Sequence, residues 1–322
     1  MKVREDKIMY TQFREIIEKY STVIIHRHKN PDGDALGSQI GLGAIIKENY
    51  PSKRVFLVGD SAGRYSFMEG SVMDEVPDEE YKGALAIILD TSARALISDD
   101  RYTLAEKTVR IDHHIFCEEI ADFEITDTSF ESCCGLITVI AMECGWSVSG
   151  SAAKALYTGL ITDSGRFRYD STSSQTFRIA GYLIDKDFST ADIYRNLYAD
   201  DFEFIRLRAS FVLKIQFAEN KKVAYIYTTA EEAAGYAFDL FTISRGMVNV
   251  MSEIRGVDIW VNFTEAPEGV FAEIRSSLHN INPIAKKYGG GGHAKASGAT
   301  LADKESAMQM LSDLIRLTED EA

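Results

Sequence analysis

The sequence predicts an α/β fold, with a doubly wound, mostly parallel sheet in the N-terminal part and a smaller mixed α/β domain after it. Along the first half, short apolar runs alternate with segments whose apolar residues have helical spacing. Because strands that alternate with helices form parallel sheets with right-handed crossovers, this pattern indicates a Rossmann-like sheet. After about residue 185 the pattern changes to alternating apolar and polar residues, which predicts the second domain.

The individual elements follow from these two patterns. The predicted strands of the first half are 22–26, 54–58, 84–90 and 107–112. Its predicted helices are 8–20, 35–49, 132–145, 151–162 and 174–185. Two more helical segments, 189–199 and 201–210, are predicted to connect the domains. In the second half the predicted strands are 211–217, 222–228, 257–264 and 269–275, with a hairpin turn at 265–268.

Length and charge limit the possible partners. A chain of 322 residues exceeds what one hydrophobic core usually serves, so two domains are expected. The net charge is −14 and no basic run is present, which argues against binding of long duplex nucleic acid. A small anionic substrate still fits, because metal ions and a few basic groups can reverse the potential locally.

The sequence contains no apolar stretch of about eighteen residues, so we expect no membrane span. The mixed-charge N-terminus does not resemble a secretory signal, and a cytoplasmic location is expected. The four cysteines show no CxxC spacing. Buried, reduced thiols are therefore expected at Cys133, Cys134 and Cys144, rather than a zinc site or a disulfide framework.

Acidic and histidine side chains follow the apolar segments of the first half. In an open α/β sheet the carboxyl ends of the strands line one edge, and ligands bind there. Residues far apart in the chain can therefore converge on one pocket. The candidates are His28, Asp32 and Asp34 after the first strand, Asp90 after the third, Asp112, His113 and His114 after the fourth, and Asp163 after the apolar segment 156–162.

These residue types match what a pair of divalent cations requires. Two such ions about 3.5–4 Å apart activate water, neutralise phosphoryl oxygens and stabilise the leaving group in phosphate-ester hydrolysis. The turn made tight by Pro31 and Gly33 can aim Asp32 and Asp34 at different ions, and Asp90 suits the bridging position. Each residue also has a simpler interpretation, as a turn residue, a helix cap, a loop acid or a core-edge histidine. Clustered carboxylates would repel one another, and cations would remove that conflict.

His26 shares a strand face with His28, and we expect it to support the site rather than bind a metal.

Five motifs follow one another along the chain: 28–38 (HKNPDGDALGS), 90–92 (DTS), 112–114 (DHH), 162–165 (TDSG) and 289–298 (GGGGHAKASG). The first four resemble those of the DHH phosphoesterase superfamily, and the fifth resembles its DHH-associated C-terminal domain. Length and domain content are similar to the nano-RNase and pAp phosphatase branch. The implied domains are a metal-binding catalytic domain at 1–186, a helical linker at 187–208 and a substrate-binding domain at 209–322.

The resemblance implies two divalent cations, with manganese as the usual metal. It implies that one ion is held by His28, Asp32 and Asp90, and the other by Asp34, Asp90, His113 and Asp163. Asp90 would bridge them, His114 would face the substrate phosphate, and Asp112 would orient the histidines. A homodimer is common in such proteins.

The glycine run 289–292 is predicted to bind substrate. Successive backbone N–H groups of glycines form an anion-binding nest, although a flexible linker is the simpler interpretation. Arg275 at a strand end could supply a guanidinium for phosphate. The resemblance implies a loop that grips the end of the nucleotide remote from the cut. The predicted substrate-binding residues are Arg275, Gly290, Gly291, Gly292 and His293.

The expected function is therefore degradation of very short oligoribonucleotides to mononucleotides, and also dephosphorylation of pAp. A site divided between two domains would accommodate a few nucleotides rather than a long strand. Two alternatives remain: cleavage of cyclic dinucleotides or of their linear products pApA and pGpG, and a catalytically silent nucleotide-binding scaffold.

Overall fold

The structure is a computed structural model that describes residues 2–319, and side chains from Asp6 onward. The chain divides into two compact units, Met1–Ala199 and Asp200–Ala322, called here the first and the second unit. The division falls inside the segment 187–208 that the sequence predicts to be a linker. The exact domain boundaries stay a prediction.

The first unit contains a five-stranded, all-parallel sheet with the order β2-β1-β3-β4-β5, which confirms the predicted fold class. Its strands are β1 (Thr22–His26), β2 (Arg54–Leu57), β3 (Leu85–Leu89), β4 (Lys107–Asp112) and β5 (Phe123–Thr126). Its helices are α1 (Lys2–Lys19), α2 (Gly33–Asn49), α3 (Cys133–Cys144), α4 (Gly150–Asp163), α5 (Ser174–Ile184) and α6 (Thr190–Tyr198). Short 3-10 helices cover Gly63–Tyr65, Asp78–Tyr81, Arg94–Leu96 and Asp100–Leu104.

The burial of the strands agrees with the apolar composition of their sequences. Every residue of β1 and β3 is buried, as expected for central strands of a parallel sheet covered on both faces. The main core joins one face of the sheet to the helices, through residues such as Val23, Leu36 and Leu156. Smaller clusters cover the other face, around Ile24 and Ile88. The strand order reverses between β1 and β3, and such a reversal opens a crevice at the carboxyl ends of the strands.

The second unit contains a six-stranded mixed sheet with the order β10-β11-β9-β8-β7-β6, in which β7 and β8 are parallel and the other pairs antiparallel. Its strands are β6 (Gln216–Phe217), β7 (Val223–Thr228), β8 (Ile259–Ala266), β9 (Gly269–Ser276), β10 (Gly291–His293) and β11 (Ala296–Leu301). Its helices are α7 (Phe202–Leu213), α8 (Ala230–Ala234), α9 (Asn282–Lys287) and α10 (Lys304–Leu317), with a π-helical turn at Thr242–Gly246 and a 3-10 helix at Val248–Met251.

The sheet of the second unit has an apolar cluster on each face. One cluster packs strand residues such as Val261 and Ile274 against Leu314 of α10. The other packs Ile226 against Phe211 of α7 and Met247. The unit is therefore a smaller mixed α/β domain, as predicted, and its sheet has helices on both faces.

The prediction of a strand at 211–217 was wrong. α7 continues to Leu213, and only Gln216–Phe217 form a short strand. The alternation of Phe211, Leu213 and Ile215 suggested a strand, but Leu207 and Phe211 are one helical turn apart and are the buried pair. Leu213 is exposed.

Two further expectations concern the state of the cysteines and the presence of a membrane-spanning helix. All four cysteines are free thiols: Cys133 and Cys134 are buried, Cys144 is half-buried and Cys117 is exposed. Across residues 2–319, no helix is sufficiently long and apolar to cross a bilayer.

Candidate metal centre

Close packing of α2 on α4 positions two of the acids. A Cβ atom on Gly37 would lie 2.6 Å from the carbonyl oxygen of Ala155, and one on Gly33 would lie 2.4 Å from the Thr162 hydroxyl oxygen. Glycine is required at both places because the helices approach so closely. The start of α2 and the end of α4 therefore meet, which brings Asp34 near Asp163 at the edge where the strands end.

The loop between β1 and α2 is fixed at both ends. Asp32 caps α2, because its Oδ1 accepts hydrogen bonds from the backbone N–H groups of Asp34 and Ala35, each at 3.0 Å. Asn30 has a left-handed conformation, with φ of 52°, and its N–H donates to Asp60 Oδ2 at 2.7 Å. Asp32 is thus a helix cap, and only its Oδ1 is used in this role. This leaves Oδ2 of Asp32 available to a cation.

Asp60 is itself held by a fully buried arginine. Arg27 Nη1 donates to Asp60 Oδ1 at 2.6 Å and to the carbonyl oxygen of His28 at 3.0 Å, and its Nε donates to Gln39 Oε1 at 3.0 Å. The hydroxyl of Ser98 also donates to Asp60 Oδ1, at 2.7 Å. We call Arg27, Asp60 and Ser98 the loop clamp. This clamp was not predicted, because its members are far apart in sequence and carry no motif.

Asp90 is the centre of the cluster. It directly follows β3, is buried, and has a left-handed backbone with φ of 50°. Its Oδ2 lies 3.5 Å from His28 Nε2, and its Oδ1 lies 3.5 Å from His113 Nε2. Oδ1 is buried without a hydrogen-bond partner among the described residues. A buried, unpartnered carboxylate oxygen is costly unless a cation fills the gap.

Among residues 6–319, three groups of side chains have donor atoms close enough to share one ion. In each group these atoms lie within 4.8 Å of one another. Asp90 belongs to two of the groups. His113 belongs to the third group and also to one of the groups that contain Asp90. The groups are His28, Asp32 and Asp90; Asp34, His113 and Asp163; and Asp90, His113 and His114.

Hydrogen bonds orient two of the imidazoles toward the acids. His28 Nδ1 lies 2.9 Å from the carbonyl oxygen of Lys29, and His113 Nδ1 lies 3.3 Å from that of Phe130. A carbonyl only accepts, so Nδ1 of each ring carries a proton, and Nε2 offers its lone pair whenever the ring is neutral. Both Nε2 atoms lie near Asp90, in the arrangement that metal-binding histidines use.

His114 is oriented differently from its neighbour. Its Nδ1 lies 2.8 Å from Asp112 Oδ1, and Asp112 is buried. The bond to Asp112 raises the pKa of His114. Asp112 therefore contacts His114, whereas His113 contacts the Phe130 carbonyl, and the orienting role of Asp112 stays a prediction.

Asp34 is buried and held by the start of α3. Its two carboxylate oxygens accept hydrogen bonds from the N–H groups of Cys133 at 2.7 Å and Cys134 at 2.9 Å. Burial, followed by repulsion from Asp90 and Asp163, nevertheless raises its pKa well above the ordinary value. Burial also raises the pKa of Asp163, to about 7.

The pKa values of the two histidines that face these acids are also raised, and for a histidine this favours the charged form. Burial lowers the pKa of His28, but hydrogen bonds to Asp32 and Asp90 outweigh burial and raise it to about 11. For His113, contacts with Asp90 and Asp34 outweigh burial and raise the pKa to about 10. Burial disfavours ionised Asp90, but His113 and His28 lower its pKa. The cluster thus compensates its negative charge with protons, and the same oxygen and imidazole donors suit divalent cations.

His26 lies outside all three groups. Its ring is fully buried and packs 5.8 Å from the Tyr81 ring and 6.1 Å from the Tyr102 ring, centroid to centroid. Burial lowers its pKa to about 4, so the ring is neutral at physiological pH. This environment agrees with a supporting role and not with metal binding.

The predicted substrate-binding residues lie in the second unit, around the hairpin of β10 and β11. Arg275 of β9 pairs with Ala296 of β11, and its Nη2 lies 3.2 Å from Glu273 Oε2. The glycine run is not a linker, because Gly291 and Gly292 belong to β10. Gly289 and Gly292 have φ of 77° and 131°. His293 is exposed at the end of the strand.

Neither β10 nor β11 was predicted. Gly290 requires glycine for another reason: a Cβ atom there would lie 2.1 Å from the carbonyl oxygen of Gly298. A strand made largely of glycine has no apolar periodicity, so only its pairing with β11 reveals it.

Comparison with known proteins places these features in a family. Residues 22–160 match the model of the DHH family, N-terminal domain, and residues 241–320 match that of the DHHA1 domain. The bifunctional oligoribonuclease and PAP phosphatase NrnA of Bacillus subtilis is 34% identical over 315 residues, which cover 97% of this chain and 99% of that protein. The probable bifunctional oligoribonuclease and PAP phosphatase NrnA of Streptococcus mutans is 35% identical over 95% of this chain and 100% of that protein.

A solved structure agrees with the fold over the same length. The exopolyphosphatase-related protein from Bacteroides fragilis superimposes with a TM-score of 0.83 and 25% identity, covering 95% of both chains. The cyclic-di-AMP phosphodiesterase GdpP of Geobacillus thermodenitrificans is 26% identical, but the match spans 47% of that protein.

Proposed function

The chain belongs to the DHH family, and on that premise we propose that it is a metal-dependent phosphoesterase that degrades very short oligoribonucleotides to mononucleotides and also dephosphorylates pAp. Relatives that are named for these two activities match nearly the whole chain. The observation that carries the proposal is the position of Asp90, whose two carboxylate oxygens face two different sets of donors.

The donor set fits two divalent cations, and we propose Mn²⁺ because oxygen and imidazole ligands suit it. His28, Asp32 and Asp90 would hold one ion. Asp34, Asp90, His113 and Asp163 would hold the other. When bound, the ions would neutralise phosphoryl oxygens, lower the pKa of water and stabilise the leaving oxygen.

The protein's own groups act around that pair. Asp90 would act catalytically as the shared carboxylate, held in place by its backbone conformation. Asp112 raises the pKa of His114, which favours a ring with a proton on each nitrogen. Such a ring donates a hydrogen bond through Nε2 to a substrate phosphate. Asp112 contributes by fixing the orientation of His114.

The second unit would bind the nucleotide part of the substrate. Arg275 and His293 offer polar groups, and the backbone of Gly290, Gly291 and Gly292 would allow the substrate to approach closely beside them. The N–H of Gly290 itself donates to the Ala285 carbonyl at 2.9 Å. Partners are therefore short RNA oligonucleotides and small nucleotides, not long duplexes. A cytoplasmic location and a homodimer belong to the same proposal.

Cleavage of cyclic dinucleotides or of pApA and pGpG is the nearest alternative, since only the grip on the substrate would differ. The relative named for a cyclic dinucleotide matches over less than half its own length, so it gives this alternative less support. A catalytically silent scaffold would not need every ligand position, and here all six are filled by acids or histidines.

Product analysis tests the proposal. The purified protein is incubated with Mn²⁺ and a panel of pAp, RNA dinucleotides, linear and cyclic dinucleotides, and RNA of about twenty nucleotides. We expect release of mononucleotides from dinucleotides and of phosphate from pAp, with both reactions abolished by a chelator and restored by Mn²⁺. Faster cleavage of the long RNA, or unchanged activity with chelator, would refute it.

A further inference from the structure

A short stretch at the start of α3 contacts two of the proposed metal ligands. The carbonyl oxygen of Phe130 lies 3.3 Å from His113 Nδ1. The N–H groups of Cys133 and Cys134 donate to the two carboxylate oxygens of Asp34, at 2.7 and 2.9 Å. We call this stretch, from Phe130 to Cys134, the ligand-support segment. Whatever holds this segment in place therefore also holds the two ligands that it contacts.

One buried acid joins the ligand-support segment to another helix. Glu131 belongs to the segment, and its side chain is buried. Its Oε2 accepts a hydrogen bond from the Thr176 hydroxyl at 2.7 Å, and its Oε1 accepts one from the Ser132 hydroxyl at 3.1 Å. Thr176 belongs to α5 and is also buried. Glu131 thus connects the starts of α3 and α5 through hydrogen bonds inside the core.

The surroundings of Glu131 explain why a carboxylate can be buried there. The Ser132 hydroxyl accepts from the Gly135 N–H at 2.9 Å, and the Thr176 hydroxyl accepts from the Ser173 N–H at 3.0 Å. Because each hydroxyl already accepts from a backbone N–H, it can give its own proton to Glu131. The carboxylate also lies beside the starts of two helices, where negative charge is favourable.

Gly135 leaves the space that this carboxylate occupies. A Cβ atom on Gly135 would lie 2.4 Å from Glu131 Oε1, which is too close for both to stay in place. Gly135 is part of α3, where alanine would favour the helix more than glycine does. The glycine is therefore explained by the position of the Glu131 carboxylate and not by the needs of the helix.

We infer that Glu131 is a positioning residue of the metal centre. By joining the ligand-support segment to Thr176, it directs the Phe130 carbonyl toward His113 and the two N–H donors toward Asp34. This inference rests on the proposed function, since both ligands would hold the second of the two ions. Within residues 6–319, Glu131 itself belongs to none of the three metal-binding groups. Its loss should therefore weaken metal binding without removing a ligand.

The experiment measures binding of Mn²⁺ directly, from the electron paramagnetic resonance signal of the free ion, in the full chain and its variants. We expect Glu131→Ala to weaken Mn²⁺ binding about ten- to a hundredfold, the usual effect of removing a group that supports metal ligands. Glu131→Gln keeps the shape and one acceptor oxygen, so its loss should be smaller. Kinetics supply a second measurement: more Mn²⁺ should be needed for half-maximal activity, whereas kcat at saturating Mn²⁺ should stay within about threefold of wild type.

Gly135→Ala tests the same connection without removing a hydrogen-bonding group. The added methyl group would displace the Glu131 carboxylate from its two hydroxyl donors, so we expect Mn²⁺ binding to weaken about tenfold. In the Glu131→Ala background that carboxylate is gone. Adding Gly135→Ala there should change Mn²⁺ binding less than about twofold, because the two substitutions break one and the same link.

Asn49→Ala is the matched control for a lost structural link. The side-chain NH₂ of Asn49 donates to the carbonyl oxygens of Ile45 and Ser147, each at 2.9 Å, and its Oδ1 accepts from the Ser147 N–H at 2.9 Å. Asn49 ends α2, roughly 22 Å along the helix from Asp34. We expect this variant to lower the thermal unfolding temperature and to bind Mn²⁺ as the wild type does.

The outcomes separate this inference from the proposed function. Wild-type Mn²⁺ binding in Glu131→Ala, or an equal loss in Asn49→Ala, would overturn the inference while the proposed function stands. An equal effect of Gly135→Ala in both backgrounds would also overturn it. If Glu131→Ala does not fold, Glu131→Gln and Gly135→Ala provide the same test. A wild-type protein that binds no Mn²⁺ and hydrolyses neither pAp nor RNA dinucleotides would overturn the proposed function itself.

Discussion

The acid edge of the first unit and the glycine segment 289–292 of the second unit use left-handed backbone in different ways. At the acid edge the left-handed positions include Asn30, Asp90 and Arg166, all residues with side chains. In the glycine segment they are Gly289 and Gly292. The first region accepts backbone strain in order to keep a functional group, whereas the second avoids strain and offers only its backbone.

The difference indicates what each region contributes. Around Asp90 the backbone is held by a hydrogen bond from its N–H to the Ile111 carbonyl at 3.0 Å, so that the carboxylate faces both histidines. Around Gly290 the limiting factor is space, because β11 passes directly beside it. Side-chain chemistry is therefore expected at one region and close backbone approach at the other. Three sets of substitutions test this comparison.

Asp90→Gly and Asp90→Ala should have the largest effect. Both remove the shared ligand, so we expect turnover to fall at least about a thousandfold and metal occupancy to be lost. The two variants should differ in stability: glycine adopts φ of 50° freely, and Asp90→Gly should be more stable than Asp90→Ala by about 1 kcal/mol. Kinetics, metal analysis and denaturant unfolding of the metal-free proteins measure the three quantities. Wild-type metal content in either variant would contradict a bridging role.

Gly290→Ala should be the next most severe change, with Gly291→Ala as its control. A Cβ atom at Gly290 meets the Gly298 carbonyl and Ala299, whereas nothing lies within 4 Å of a Cβ atom at Gly291. We expect Gly290→Ala to destabilise the second unit by about 2–4 kcal/mol and Gly291→Ala to be nearly neutral. Hydrogen exchange in β10 and β11 provides the measurement. Equal protection in the two variants would show that the close approach is not what requires glycine.

Asn30→Gly should have the smallest effect. The clamp reaches Asn30 through its backbone N–H, and its side chain is exposed. Glycine keeps the left-handed conformation, so turnover should stay within about twofold of wild type, whereas Asn30→Ala should cost about 1 kcal/mol of stability. Steady-state kinetics and thermal unfolding of both variants measure this. A large loss of turnover in Asn30→Gly would place a functional group where we see only a turn.

Most of the fold could be predicted from the sequence, and the exceptions are short strands and a helix end whose apolar pattern is ambiguous. β1 and β3 are fully buried strands, so their apolar runs identify them directly. β5 and β10 are short, and β10 consists mainly of glycine, so pairing with neighbouring strands defines them rather than composition. α7 was mistaken for a strand in part, because a few apolar residues fit either period.

The structure brings the six predicted metal-binding residues to one edge, although their roles as ligands stay predictions. This convergence could be predicted, because β1, β3 and β4 are neighbouring parallel strands and their carboxyl ends lie at the same edge of the sheet. The supporting contacts could not be predicted. Tertiary packing determines these contacts, and no residue pattern predicts them. They involve the Phe130 carbonyl, the N–H groups of Cys133 and Cys134, and the loop clamp.

The loop clamp has a consequence for how this protein can diverge. β2 is an edge strand, and the surface loops that connect such strands to the rest of a protein usually tolerate changes in length. Here the segment leaving β2 supplies Asp60, which fixes the backbone between two proposed ligands, His28 and Asp32. Shortening this border of the molecule would release the loop that carries His28 and Asp32, so we expect this peripheral stretch to tolerate deletions poorly.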